Sequence, residues 1–400
     1  MRFTELCAVL AFTAIASMAQ AQKSDLTYID PRKLPSPYAT PSAENGSSVV
    51  SRPKDAKLTA PAGFRVELYA KSLSNPRWCA PAPNGDVFVA ESGAGRVVVL
   101  RENPETKTAF AINVFASSLD YPFGILFHGE WVYVGCRTQV LRYRYTPGQT
   151  RATEKPEVIL KDLPGDGHRT RNLLFDARTG KMYITIGSSG DHNEEKNPFR
   201  ATICEFNPDG TGFQVFASGI RNACGMGLNP KGGELWTVVN ERDALGDDLV
   251  PDYATSVLKG SNYGFPYYYI GKYHDPRLPE KPEIREKSVT PDVLLTSHVA
   301  SLGMTFYTGK QFPKEYQGDL FVAQHGSGNR EKRAGYNIVH VPFRNGKPVG
   351  GFREFAGGWM LGEDDRRVWG RPVGVFQAKD GSLLVTDDGG ICLWRISYQK

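Results

Sequence analysis

One phrase recurs along the chain and limits what it can fold into: a turn glycine, one intervening residue, then a short apolar run of high strand propensity. It reads Gly85-Asp86-Val87-Phe88-Val89, Gly129-Glu130-Trp131-Val132-Tyr133 and Gly180-Lys181-Met182-Tyr183-Ile184. It returns as Gly233-Glu234-Leu235-Trp236-Thr237, Gly318-Asp319-Leu320-Phe321-Val322 and Gly381-Ser382-Leu383-Leu384-Val385. An apolar strand with a glycine often precedes it, as in Gly124-Ile125-Leu126-Phe127, Gly303-Met304-Thr305-Phe306 and Gly374-Val375-Phe376. A second strand often follows, as in Arg96 to Leu100, Gln139 to Tyr145 and Leu393 to Tyr398. Long helical periodicity is absent. A single small sheet cannot bury both faces, but a ring of them can. The pattern predicts an all-β chain: a six-bladed β-propeller of four-stranded antiparallel blades over residues 58–400. Phe64 to Ala70 is the candidate strand that completes the last blade. A β-sandwich array or a barrel is the competing arrangement for such strands.

The ends carry different signals. Arg2, the apolar stretch from Leu6 to Met18 and the small-x-small triplet Ala19-Gln20-Ala21 predict a secretory signal over residues 1–21. That apolar stretch is too short to span a bilayer. The expected location is periplasmic or secreted, with cleavage near Ala21 and no stable membrane insertion. Residues 22–57, with Pro31, Pro35, Pro37 and Pro41, predict a Pro/Ser-rich leader or linker, either extended and wrapped on the surface or disordered. The net charge of +5 comes with no basic run, which argues against nucleic acid. Five cysteines remain after the signal, with no Cys-x-x-Cys, so neither a zinc site, a disulfide framework nor covalent haem is expected.

Propellers carry function on loops at one mouth of the channel, and four loop clusters stand out. Gly165-Asp166-Gly167-His168 places a histidine just before a strand, where it can act as a base near neutral pH. Arg221-Asn222 offers a fork of donors suited to carboxylate or quinone oxygens. Asn240 to Asp248 packs five acids or amides into one loop, a supply of oxygen ligands for a hard cation such as Ca²⁺. His298, the run His325-Gly326-Ser327-Gly328-Asn329-Arg330, and Gly370-Arg371-Pro372 flank late strands and suit an anionic ligand. Each could equally be a surface turn or a brace.

Taken in this order, the clusters resemble the glucose/sorbosone dehydrogenase family, closest to its sorbosone branch. The phrases that carry the resemblance are Pro61-Ala62-Gly63-Phe64, Leu163 to His168, Phe216 to Asn222, Glu234 to Asp248, His325-Gly326-Ser327 and Gly370 to Val375. The resemblance implies pyrroloquinoline quinone (PQQ) and Ca²⁺. It implies His168 as catalytic base and Arg371 as the arginine facing the quinone oxygens. Arg221, Asn222, His298, His325, Asn329, Arg330 and Arg371 become cofactor contacts. The cation would take oxygens from the loop at Arg242, Asp243 and Ala244, partly from backbone carbonyls.

Three positions depart from the family pattern. The glutamine of the glucose enzymes has no match near Tyr121. Ala223 replaces the proline after Arg-Asn, and Gly328 replaces a tryptophan. The implied reaction is oxidation of a sugar or aldehyde, with electrons passed to an external acceptor, a cytochrome or quinone. Loops 188–199 and 262–290 are the expected specificity loops. A metal-dependent lactonase, a carbohydrate- or protein-binding propeller and a structural module are the rival readings.

Overall fold

The computed structural model describes residues 26–399, so the expected signal sequence lies outside the described residues. Each repeated phrase folds as a hairpin turn into the second strand of a blade. All six turn glycines, Gly85, Gly129, Gly180, Gly233, Gly318 and Gly381, have positive φ, from 58° to 99°. Glycine takes this backbone without the steric penalty a Cβ would add. The strands that follow are Val87–Glu91, Trp131–Gly135, Lys181–Ile186, Leu235–Val239, Leu320–Gln324 and Leu383–Asp387. Their side chains are almost entirely buried, because each lies inside its sheet and between neighbouring sheets.

These strands organise six four-stranded antiparallel sheets, the blades of a six-bladed β-propeller. The innermost strands are Pro76–Pro81, Ile125–His128, Leu173–Asp176, Ala223–Leu228, Ser301–Phe306 and Pro372–Gln377. We number the blades one to six in that order. The sixth is completed by Phe64–Ala70, which pairs antiparallel with Cys392–Tyr398 and so ties the first long strand to the last. The long interval between the fourth and fifth phrases is an excursion of blade four. Between Pro251–Val257 and Val293–Ser297 it holds a small hairpin, Tyr268–Tyr269 with Tyr273–His274, and one helical turn, Pro282–Arg285.

Neighbouring blades interlock through aromatic side chains, for example Trp236 edge-on to Phe306 and Phe343. Toward the axis the contact is backbone on backbone. A Cβ on Gly303 would lie 2.5 Å from the Cα of Gly374 in the next blade. The inner strands enclose a cavity of about 280 Å³, lined by Trp78, Ile125, Leu173, Met226, Met304 and Phe376, one from each blade. Asn172, Thr305, Thr308 and Gln377 also line it, so its wall mixes apolar side chains with polar groups.

Each inner strand begins at the mouth, and each second strand ends there. The residues before inner strands and after second strands therefore meet at one end of the ring. Register shifts between inner and second strands, as at Ala223/Met226, Ser301/Gly303 and Pro372/Val375, re-aim the chain at this rim.

Gly303→Ala tests the close approach. Backbone atoms of Val373, Gly374 and Val375 surround the added methyl and cannot rotate away. Urea unfolding is expected to show a loss of about 1–3 kcal/mol.

Candidate active site

His168 enters the mouth on the segment before the inner strand of blade three. Its Nδ1 lies 3.0 Å from both the carbonyl oxygen and the hydroxyl of Ser188, on the loop after the second strand of the same blade. A carbonyl only accepts, so Nδ1 carries the proton and Nε2 keeps its lone pair. Burial, reinforced by the positive charge of Arg221, lowers the His168 pKa to about 4. The ring is thus a neutral imidazole at physiological pH. Gly187 separates His168 from Asn222. A Cβ there would collide with both side chains, so only glycine lets them stand side by side. Asn222 is buried, and its Oδ1 has no hydrogen-bond partner among the described residues. A buried acceptor without a donor is costly, and a bound group would relieve it.

Arg221 is occupied. It donates from Nη2 to Asp191 Oδ1 at 2.9 Å, from Nε to the Asp191 carbonyl at 3.0 Å and from Nη1 to the Asn240 carbonyl at 3.0 Å. Asp191 Oδ1 also accepts the Asp243 amide at 2.9 Å. Arg221 therefore acts on the site through its charge and through the loops that it joins.

The oxygen-rich loop divides its labour. Arg242 is fully buried and turned into the protein. It donates to Glu241, Asp275 and the carbonyls of Pro266 and Tyr268, and lies over Phe265 and Tyr269. Its side chain anchors the loop, so any cation contact at this residue would have to come from its carbonyl. Asp243 Oδ1 accepts His298 Nδ1 at 2.8 Å, and His298 Nε2 lies 2.9 Å from the Gly246 carbonyl. Burial opposes charge on His298, but Asp243 and that carbonyl outweigh it and hold its pKa above the ordinary value. Ala244 is exposed at the loop apex with φ 65°. Arg330 reaches back to this loop, donating to the Asp247 carbonyl at 2.6 Å and to Asp248 at 3.2 Å. Among the described residues no three His, Cys, Asp or Glu side chains converge as a metal cluster. A cation here would rely on carbonyl oxygens as well as side chains.

A third group closes the ring between blades one, five and six. Asp388 accepts Arg77 Nη1 at 2.5 Å and His325 Nε2 at 2.8 Å. Burial would raise the Asp388 pKa, but these two partners hold it well below the carboxylate range. Burial lowers His325 to about 4. Arg371 donates from Nε to the His325 carbonyl at 3.3 Å and lies over Tyr336. Its terminal nitrogens pair with no carboxylate among the described residues.

Arg77, Ser188, Asp191 and Asp388 are the residues that sequence reasoning missed. Arg77 had a signal: it opens an inner strand, as Arg371 and Asn222 nearly do. Asp388 directly follows a second strand, Ser188 follows one after Gly187, and Asp191 lies a little further along the same turn as Ser188. That position was legible only for His325 and the Asn240 loop.

Asp388→Asn removes the partner of the buried Arg77 cation. Such a loss is expected to destabilise the fold by about 3 kcal/mol in urea at pH 7. His168 and His325 add a pH dependence. Both are held at about 4, so the unfolded chain takes up their protons first, near pH 6.5. Stability should rise with pH between about 4 and 6.5, as read from urea midpoints across that range.

Comparison with known proteins places this architecture. The TrAA12-like family model matches residues 58–269 and 279–394. The chain is 28% identical to an uncharacterized protein of Borreliella burgdorferi, over 86% of this chain and 91% of that one. It is 25% identical to the pyrroloquinoline quinone-dependent sugar dehydrogenase of Hypocrea jecorina, over 52% of this chain and 56% of that enzyme, so this match spans about half of each. Its fold is similar to that of the Trichoderma reesei carbohydrate-active enzyme of family AA12. The TM-score is 0.76 at 19% identity, covering 88% of this chain and 100% of the solved one. With the match running through nearly the whole propeller, this chain belongs to the TrAA12-like family.

Proposed function

We propose that this chain oxidises a sugar or a related aldehyde with PQQ and Ca²⁺ held at the propeller mouth. The observation that carries the reading is the pairing of a neutral His168, its Nε2 free, with the buried and unpartnered Asn222 Oδ1. The donor set suits a tricarboxylate quinone. Among the described residues the Arg371 terminal nitrogens are unpaired donors, and Asn222 Oδ1 is an unused acceptor for a substrate hydroxyl. Arg330, His298 and the 242–244 loop border the same rim through Asp243 and Asp247, with Asn329 next to Arg330 in the chain. A calcium ion there would draw on oxygens of Arg242, Asp243 and Ala244. PQQ, when bound, supplies a two-electron acceptor for hydride.

The chain's own groups do the rest. His168 Nε2 accepts the proton of the substrate hydroxyl, or of an aldehyde hydrate. Ser188 fixes the tautomer that makes this possible. Arg371 stabilises negative charge where it develops, and Asn222 Oδ1 orients the substrate by accepting from a hydroxyl. Arg221 holds the loops on either side of the base in register. The electrons then leave to an external acceptor, and export through the N-terminal signal would place the reaction outside the cytoplasm.

His168→Ala removes the base. Turnover of an aldose with PQQ, Ca²⁺ and a dye acceptor is expected to fall by about 10² to 10⁴, with PQQ still bound by absorbance. Near-normal turnover would refute the assignment. In the wild type the acidic limb of kcat/KM should fall at about pH 4, following the lowered His168 pKa.

A further inference from the structure

The segment ahead of the propeller runs along the mouth and is built into it. The Tyr38 amide donates to the Leu245 carbonyl at 2.7 Å. The Gly246 amide donates to Ser42 Oγ at 3.1 Å, and the Asp247 amide to Thr40 Oγ1 at 2.8 Å. Three consecutive residues of the loop that carries Asp243 are thus fastened to one stretch of chain. Asn45 then crosses to the loop of blade five. Its amide donates to the Gly328 carbonyl at 2.7 Å and its Nδ2 to the Glu331 carbonyl at 2.8 Å, and its Oδ1 accepts Arg333 Nη2 at 2.9 Å. Arg366 Nε donates to the Gly46 carbonyl at 3.0 Å, and Ser48–Val49 pairs in parallel with Arg367–Val368 in the connection between blades five and six.

We infer that residues 38–49 are a positioning element of the cofactor mouth, holding the 243–247 and 328–331 loops in their working geometry. This rests on the function proposed above. Two features carry it. First, Gly246 is where the strap meets the site. Its carbonyl faces His298 Nε2, whose Nδ1 holds Asp243, and a Cβ on Gly246 would lie 2.9 Å from the Thr40 carbonyl. A shift of the strap therefore moves the loop that holds Asp243. Second, the strap is separate from ring closure, which begins only at Phe64. Loosening it leaves all six sheets paired. Groups that orient metal-binding loops from outside typically alter affinity by about 10- to 100-fold without touching the ligand.

Thr40→Val removes the acceptor for the Asp247 amide at nearly constant shape, and Asn45→Ala removes two contacts to the blade-five side. Thr40→Ser keeps the hydroxyl and serves as rescue. Two measurements on the full chain test the inference. In cofactor-free protein, hydrogen exchange at Gly246 and Asp247 should quicken about tenfold in Thr40→Val, while amides within the blade strands do not change. In Ca²⁺ buffer, equilibrium dialysis should show PQQ binding weakened about 10- to 100-fold in both variants, with Thr40→Ser near wild type and little change in Tm. A fall in Tm with unchanged PQQ affinity would overturn the inference, because it marks a purely structural strap. So would unaltered exchange at Gly246 and Asp247. Failure of the wild type to bind PQQ would instead strike the proposed function, and the exchange experiment would still decide whether the strap holds the loop.

Discussion

Everything at the mouth depends on one sheet being completed by both ends of the propeller. Phe64–Ala70 pairs with Cys392–Tyr398, and that ladder ties the first long strand to the last blade, with Trp78 against Phe376 and Thr386 Oγ1 on the Arg77 carbonyl joining blades one and six directly. A ring without closure would expose the faces of its terminal sheets and lose the mutual burial that stabilises every other blade. Closure also sets the site. Arg77 at the start of blade one and Asp388 at the end of blade six meet because the ring is shut, and their contact spans 311 residues of sequence. The buried Arg77–Asp388–His325 group is therefore both a product of closure and a lock on it.

The mouth gathers charge that would be unfavourable if left unpaired. Most arginines there are bound to acids or carbonyls: Arg221 to Asp191, Arg330 to Asp248, Arg77 to Asp388, and Arg200 to the loop of Asp166. This pairing leaves a few groups free, and these are the informative ones. Among the described residues His168 Nε2, Asn222 Oδ1 and the terminal nitrogens of Arg371 have no hydrogen-bond partner, which is what the proposed cofactor site would need. The surrounding ion pairs hold them still, which is how a site on loops acquires precision.

Much of the fold was legible in the sequence because its cause is local. A glycine at each hairpin turn and a buried second strand after it are properties of five adjacent residues, and all six copies kept them. The closing strand was legible because Phe64 to Ala70 had no other partner in the repeat. Of the site, His168, Asn222 and Arg371 were legible by their place beside inner strands. Arg242 reads as part of the cation loop and Arg221 as a cofactor contact; the side chain of the first is buried on Glu241 and Asp275 and that of the second is bound to Asp191. Sequence cannot show which acid an arginine will meet, since Arg242 and Asp275, 33 residues apart, are joined only by the excursion of blade four.

By itself, then, the sequence determined the number of blades, the position of each turn and the ring of loops on which function could lie. These follow from hydrophobic alternation and from the backbone freedom of glycine, which act within a few residues. The tertiary structure decided which polar groups are already satisfied and which are free. It decided that the proline-rich leader is a strap across three loops, since its partners at Gly246, Gly328 and Arg366 lie more than 200 residues away in the chain. The physical reason is the same in each case. Hydrogen bonds and ion pairs at the mouth join segments that only ring closure brings together.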